Sequence, residues 1–177
     1  MPHLEVLQEG NVRLRPVSLP DDIDVAWAWY QDVETLALSQ RPGTEPLSRD
    51  RVARMYQYQA AHGEFYMIEI QGAIGVQDAA DSPSWHPIGD VMLAPDTLPI
   101  VIGVPAARRR GIGRRVLALL IARARQLGWP TLQAKEIWSY NEGSRRLFQS
   151  AGFVLAATGV DPGGQPYERY RLDLRGP

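Results

Sequence analysis

The run Arg108-Arg109-Arg110-Gly111-Ile112-Gly113 holds the residue types best suited to chemistry in this chain. It follows the apolar stretch Ile100-Val101-Ile102-Gly103-Val104 through Pro105 and enters a segment with apolar residues at helical spacing. A strand feeding a helix through a glycine-bearing loop leaves backbone N–H groups free at the helix N-terminus, and the positive end of the helix dipole adds to them. That is an anion site. Gly111 and Gly113 can take dihedrals a side chain forbids and let the backbone approach a diphosphate closely. The arginines bring charge and forked donors for the remaining phosphate oxygens. A triple arginine alone reads as a solvated basic patch or a nucleic-acid contact; the Gly-x-Gly and the striped helix behind it favour phosphate. The pattern is neither G-x-x-x-x-G-K-[ST] nor the three-glycine dinucleotide fingerprint, so the loop alone names no ligand.

Periodicity gives the elements that must hold this loop. Asn11 to Val17 alternates, with Val12 and Leu14 on one face, as a half-buried strand does. Ser18, Pro20 and Asp21 open a helix carrying Ile23, Trp27 and Tyr30. Ser48 caps a second, with Val52, Met55, Tyr56 and Gln59 or Ala60 as its stripe. Strands follow at Glu64 to Ile70, Ile88 to Leu93 and Ile100 to Val104, with Asp78 to Pro87 read as a loop and a turn at Pro95-Asp96. Gly111 to Leu127 is the clearest helix, its stripe running through Val116, Leu117, Leu120 and Ala124, with Gly128 and Pro130 ending it. Thr131 to Tyr140 is a strand and Asn141 to Ala151 a short helix stopped by Gly152. Phe153 to Gly159 and Pro166 to Leu174 form a hairpin around Asp161-Pro162-Gly163-Gly164. An antiparallel meander joined to βα units gives an α/β or α+β sheet with helices on its faces.

Composition narrows the function. At 177 residues the chain fits one domain. The balance of 19 Lys and Arg against 20 Asp and Glu argues against a dedicated nucleic-acid binder. With no Cys there is no disulfide, thiolate metal site or cysteine nucleophile, and His3, His62 and His86 lack metal-ligand spacing. The N-terminus has no signal-peptide pattern and no apolar run is long enough to span a membrane, so a soluble cytoplasmic protein is expected, as monomer or homodimer.

On these residues the chain resembles the GNAT superfamily of N-acetyltransferases. The family's loop, Gln/Arg-x-x-Gly-x-Gly/Ala, holds the pyrophosphate of coenzyme A; here it is Arg108-x-x-Gly111-x-Gly113, with Pro105 ahead of it. Members also carry Glu-x4-Asn-x2-Ala/Ser-x3-Tyr-x3-Gly-Phe, matched here by Glu136, Asn141, Ser144, Phe148, Gly152 and Phe153. The segment is similar to ribosomal-protein N-terminal acetyltransferases and aminoglycoside 6′-acetyltransferases. The resemblance implies an acyl-CoA N-acyltransferase fold over residues 1–177, with a mixed sheet of about seven strands flanked by about four helices. It implies acetyl-CoA as acyl donor, bound by Ile102, Gly103, Val104, Arg108, Arg109, Arg110, Gly111, Ile112, Gly113, Arg114, Asn141 and Ser144 without a metal. Asn141 would cap its helix and also meet the pantetheine arm.

Acyl transfer to an amine needs a neutral amine, donors for the oxyanion and a thiolate that can leave. An alkylammonium has a pKa near ~10.4, so a base helps. Glu136 is the candidate, since alternation puts Glu136, Trp138 and Tyr140 on one strand face; an edge carboxylate paired with Lys135 or an arginine is the alternative. The resemblance puts the oxyanion donor among the amides of Ile102 to Val104, where the fourth strand splays from the fifth. The family's acidic tyrosine is Phe148 here; Tyr140 substitutes for it only if the last pleat before Asn141 turns it inward, and a thiol pKa near ~8.5 makes thiolate a fair leaving group unaided. A non-catalytic acyl-CoA-binding module of the same fold is the rival reading. An antibiotic polycation would want carboxylates such as Asp21, Asp22, Asp24, Asp32 and Glu34, a peptide N-terminus an open groove between strands. Trp27, Trp29 and Tyr30 are either walls of that pocket or, for Trp27 and Tyr30, plain core.

Overall fold

A computed structural model describes residues 4–72 and 84–175. Strands β1 (Leu7–Glu9) and β2 (Val12–Pro16) lead to helices α1 (Ile23–Trp29), α2 (Val33–Ser39) and α3 (Arg49–His62). Strands β3 (Glu64–Gln71), β4 (Trp85–Leu93) and β5 (Ile100–Ile102) follow, then a 3-10 turn at Pro105–Ala107 and helix α4 (Ile112–Gln126). Strand β6 (Thr131–Trp138), helix α5 (Glu142–Ser150), and strands β7 (Val154–Val160) and β8 (Pro166–Asp173) complete the chain.

The α+β class and the seven expected strands are present, but the sheet is divided. One sheet runs β1-β2-β3-β4-β5 and a second β6-β8-β7, every neighbouring pair antiparallel. β5 and β6 are not hydrogen-bonded to each other, so the sheet opens between them, where the resemblance puts a splay. Two short elements join the expected set: β1, and α2, whose buried residues are only Thr35 and Leu36 and therefore leave no apolar stripe. β4 begins at Trp85, three residues before the expected start, while 78–83 of the expected loop lie outside the described residues.

Helices cover both faces of the larger sheet. β3 is buried along six consecutive residues, Phe65 to Ile70. Tyr66, Ile68 and Ile70 meet Val116, Leu117, Leu120 and Ala124 of α4, while Phe65 and Met67 meet Val52 and Tyr56 of α3. Arg123 fastens α4 to β3 through Glu64, at 2.9 and 2.7 Å, and holds that carboxyl below the usual carboxylate range. Side chains at three- and four-residue spacing thus fix the rotation of α4, and with it the aim of its N-terminus. A Leu120→Ala change at this fully buried position costs about 2–5 kcal/mol.

Candidate active site

The loop ahead of α4 has two left-handed residues, Arg109 at φ 60° and Gly111 at φ 76°. Such alternation curls successive amides into a concavity that suits an anion. Gly111 is the N-cap, and the first bond of the helix runs from Arg115 N–H to Gly111 C=O. The amides of Ile112, Gly113 and Arg114 therefore stand ahead of the helical ladder. The two glycines serve different needs: Gly111 supplies the positive φ, whereas a Cβ on Gly113 would come within 3.0 Å of Leu147 Cδ2, so Gly113 allows α5 to pack closely.

A cavity of about 830 Å³ opens on this loop. Ile102, Arg108, Arg109, Gly111, Ile112, Gly113, Arg114, Tyr140, Asn141 and Ser144 all border it. Four arginines, 108, 109, 114 and 146, face two carboxylates, Glu34 and Glu142, so the cavity is basic. The guanidinium of Arg108 is already occupied. It donates to Ile102 C=O at 3.0 Å, Glu34 at 2.6 Å, Thr35 at 2.6 Å and Asp32 at 3.4 Å, tying the start of α2 to the end of β5. Arg109 and Arg110 are exposed.

Gly103 and Val104 border neither this cavity nor its neighbour. Both their amides donate to Ile88 C=O, at 2.8 and 3.1 Å, and a Cβ on Gly103 would strike Trp29 at 2.2 Å. Gly103 is thus a packing glycine. Met92 N–H donates to Pro99 C=O, so alternation along the β4–β5 ladder turns the amides of Ile100 and Ile102 to the open edge. Of the three residues expected to supply the oxyanion donor, only Ile102 has that orientation, and Ile100 joins it.

A second cavity of about 750 Å³ lies in the gap between β5 and β6. Glu136 borders it, with Met55 and Gln59 of α3, Met92, Trp138 and Phe148. The two cavities share Leu38, Ser39, Ile100, Val101, Asn141 and Ser144. The second is acidic on balance, with Asp96 and Glu136 against Lys135. Glu136 has φ 55°, and the β6–β8 register shifts between Ala134 and Ile137. Ala134 and Ile137 consequently both turn into the core, and the expected simple alternation across Lys135, Glu136 and Ile137 does not hold. Lys135 pairs with Asp96 rather than with Glu136.

Tyr140 borders the first cavity and not the second, and its hydroxyl donates to Ala37 C=O. Asn141 caps α5 by accepting from Ser144 N–H at 3.0 Å and donates to Leu38 C=O at 3.2 Å. Trp138 donates to Gln40 C=O at 2.8 Å. Phe148 is 3% exposed, edge-on to Phe153 with centroids 5.1 Å apart. Trp29 and Tyr30 are core, while Trp27 is 39% exposed with its indole N–H on Leu47 C=O, and none of the three reaches either cavity.

The profile described as acetyltransferase (GNAT) domain matches residues 11–154. The chain belongs to the GNAT acetyltransferases. Solved structures agree on the fold of this acetyltransferase. A GNAT-family acetyltransferase from Bacillus anthracis superposes with a TM-score of 0.74 at 10% identity, covering 97% of this chain and 100% of that one. The spermidine N-acetyltransferase of Vibrio cholerae, solved with CoA and spermine, gives 0.70 at 15% identity over 94% and 97%. YncA of Salmonella typhimurium, solved with acetyl-CoA, gives 0.61 at 18% over 93% and 95%. No curated protein sequence matches. GNAT acetyltransferases take their acyl group from acetyl-CoA. Among the described residues no group of three or more His, Asp or Glu is placed to hold a metal, and no helix is long and apolar enough to cross a membrane.

Sequence reasoning missed α2 and the cavity face of α3. Asp32, which accepts from Thr35 N–H at 2.8 Å, was the available signal for α2, as a cap followed by Glu34. Met55 and Gln59 stood in the recognised stripe of α3, but periodicity gives a face and not what the face meets.

Proposed function

We propose that this acetyltransferase moves an acetyl group to a primary amine by direct attack, donor and acceptor entering from the two cavities. One observation carries the reading: a basic cavity at a helix N-terminus and an acidic one meet at Ile100 and Val101, where the sheet edge is open. The curled amides from Arg109 to Arg114, with the exposed side chains of Arg109 and Arg114, suit the diphosphate; Arg108 contributes through its position rather than a free guanidinium. Acetyl-CoA supplies the thioester carbonyl that the amine attacks. Glu136 takes the proton that the amine must lose, directly or through water. The amides of Ile100 and Ile102 stabilise the charge developing on oxygen. Tyr140 borders the donor cavity and is the candidate to protonate sulfur once its hydroxyl leaves Ala37 C=O, although a thiolate with a conjugate pKa near ~8.5 can depart without it.

The test is release of CoA thiol across a panel of primary amines. Glu136→Gln should lower turnover by roughly 10²-fold or more. The loss should shrink as pH rises and the amine deprotonates unaided, while acetyl-CoA binding stays near wild type. Phe148→Tyr should leave the rate unchanged or raise it, and a large loss in Tyr140→Phe would assign the acid to Tyr140. Phe148 also favours a second reading, a binding module without catalysis. Acetyl-CoA binding with no thiol release from any amine at any pH would establish that reading instead.

A further inference from the structure

The acceptor cavity is sparing with charge. Among the described residues that border it, the charged side chains are Asp96, Lys135 and Glu136. Lys135 donates to the Asp96 carboxylate, whose pKa is lowered by that contact, so Glu136 is the single carboxylate left uncompensated. The acidic residues that might have gathered around a polycation are spent elsewhere. Asp22 pairs with Arg15, Asp24 with Arg49, Glu34 with Arg108, and Asp32 caps α2. None of them borders this cavity. Much of the remaining wall is apolar, including Met55, Met92, Leu98, Ile137, Trp138 and Phe148. One polar acceptor stands out: Gln59 Oε1 is buried and has no hydrogen-bond partner.

We infer that the acceptor is a primary amine with one positive charge on an apolar body, and that Lys135 determines this choice. The inference rests on the transferase reading above and deepens it. A second ammonium entering the cavity would find no unpaired carboxylate and would lie near the Lys135 ammonium, an unfavourable like-charge contact. Lys135 enforces that cost by neutralising Asp96. The spermidine N-acetyltransferase shares the fold at 15% identity, and that likeness extends to the fold alone. A free apolar monoamine and a peptide with an apolar first residue share the required chemistry.

The experiment measures kcat/KM by thiol release for 2-phenylethylamine, a leucyl peptide amide, spermidine and kanamycin. One or both of the first two should exceed spermidine and kanamycin by at least a hundredfold, and the better of them identifies the source. Lys135→Gln should raise the spermidine-to-monoamine ratio tenfold or more by uncovering Asp96. Adding Asp96→Asn to that variant should return the ratio, and Lys135→Arg should hold it at the wild-type value. KM for acetyl-CoA is the internal control in every variant. Spermidine or kanamycin equalling the monoamines in Glu136-dependent turnover overturns this inference and leaves the transferase standing. So does a ratio unmoved by Lys135→Gln. Absence of thiol release from every amine removes the transferase reading itself, and this inference with it.

Discussion

Gly111 and Glu136 are two positive-φ positions with opposite logic. At Gly111 the residue type and backbone agree, and a Cβ there would meet no atom within 4 Å, so only the φ of 76° demands glycine. Gly111→Asp adds both strain and a carboxylate against the anion site, and should abolish the thermal shift that saturating acetyl-CoA gives wild type. That shift should correspond to about 2.7 kcal/mol at a hundred times Kd; an undiminished shift in a scanning-fluorimetry titration would take the loop out of the site. At Glu136 a non-glycine side chain occupies φ 55°, a conformation that costs of order 1–3 kcal/mol and persists where the surroundings impose it. The loop was legible because a glycine pattern records a backbone requirement. The aim of Glu136 was not, because a bulge is set by pairing with β8, and no alternation along one strand reveals it.

α2 shows how a seven-residue helix, marginal by itself, is kept in place by its neighbours. Arg108 grips its first turn, and side chains of Trp138, Tyr140 and Asn141 donate to the carbonyls of Gln40, Ala37 and Leu38 at its end. Its Leu38 and Ser39 border both cavities. Arg108→Ala should therefore speed amide hydrogen exchange over 33–39 and raise KM for both substrates several-fold. A role confined to phosphate would raise KM for the acyl donor alone and leave that exchange untouched. Long, striped elements such as α4 were readable in the sequence because their own residues determine which side is buried. α2 was not, because its stability is held in residues more than sixty positions away.

Across the whole molecule, one buried carboxylate sets an acid-side signature. Asp90 is 1% exposed and accepts from Tyr56 Oη at 2.6 Å and from Tyr30 Oη at 3.4 Å, and burial pushes its pKa up to about 6. Between the ordinary carboxylate pKa and 6 the folded chain keeps a proton that the unfolded chain has lost. Its contribution to stability therefore falls as pH rises through that window, by about 3 kcal/mol in all. Asp90→Asn carries no such charge, so its Tm relative to wild type should climb from pH 4 to pH 7 and level off above. A constant difference measured by calorimetry would show that Asp90 is ionised throughout. The division of the sheet, the other global feature, was legible only through the family resemblance, because β5 and β6 each look like ordinary strands by themselves. It also gives the molecule a modular layout. The walls of the two cavities have six residues in common, and the rest of each wall belongs to one cavity only. Substitutions at exposed positions such as Lys135 leave the loop at Gly111 untouched. The six common positions, and the α2 contacts of Arg108, are where a change in one cavity reaches the other.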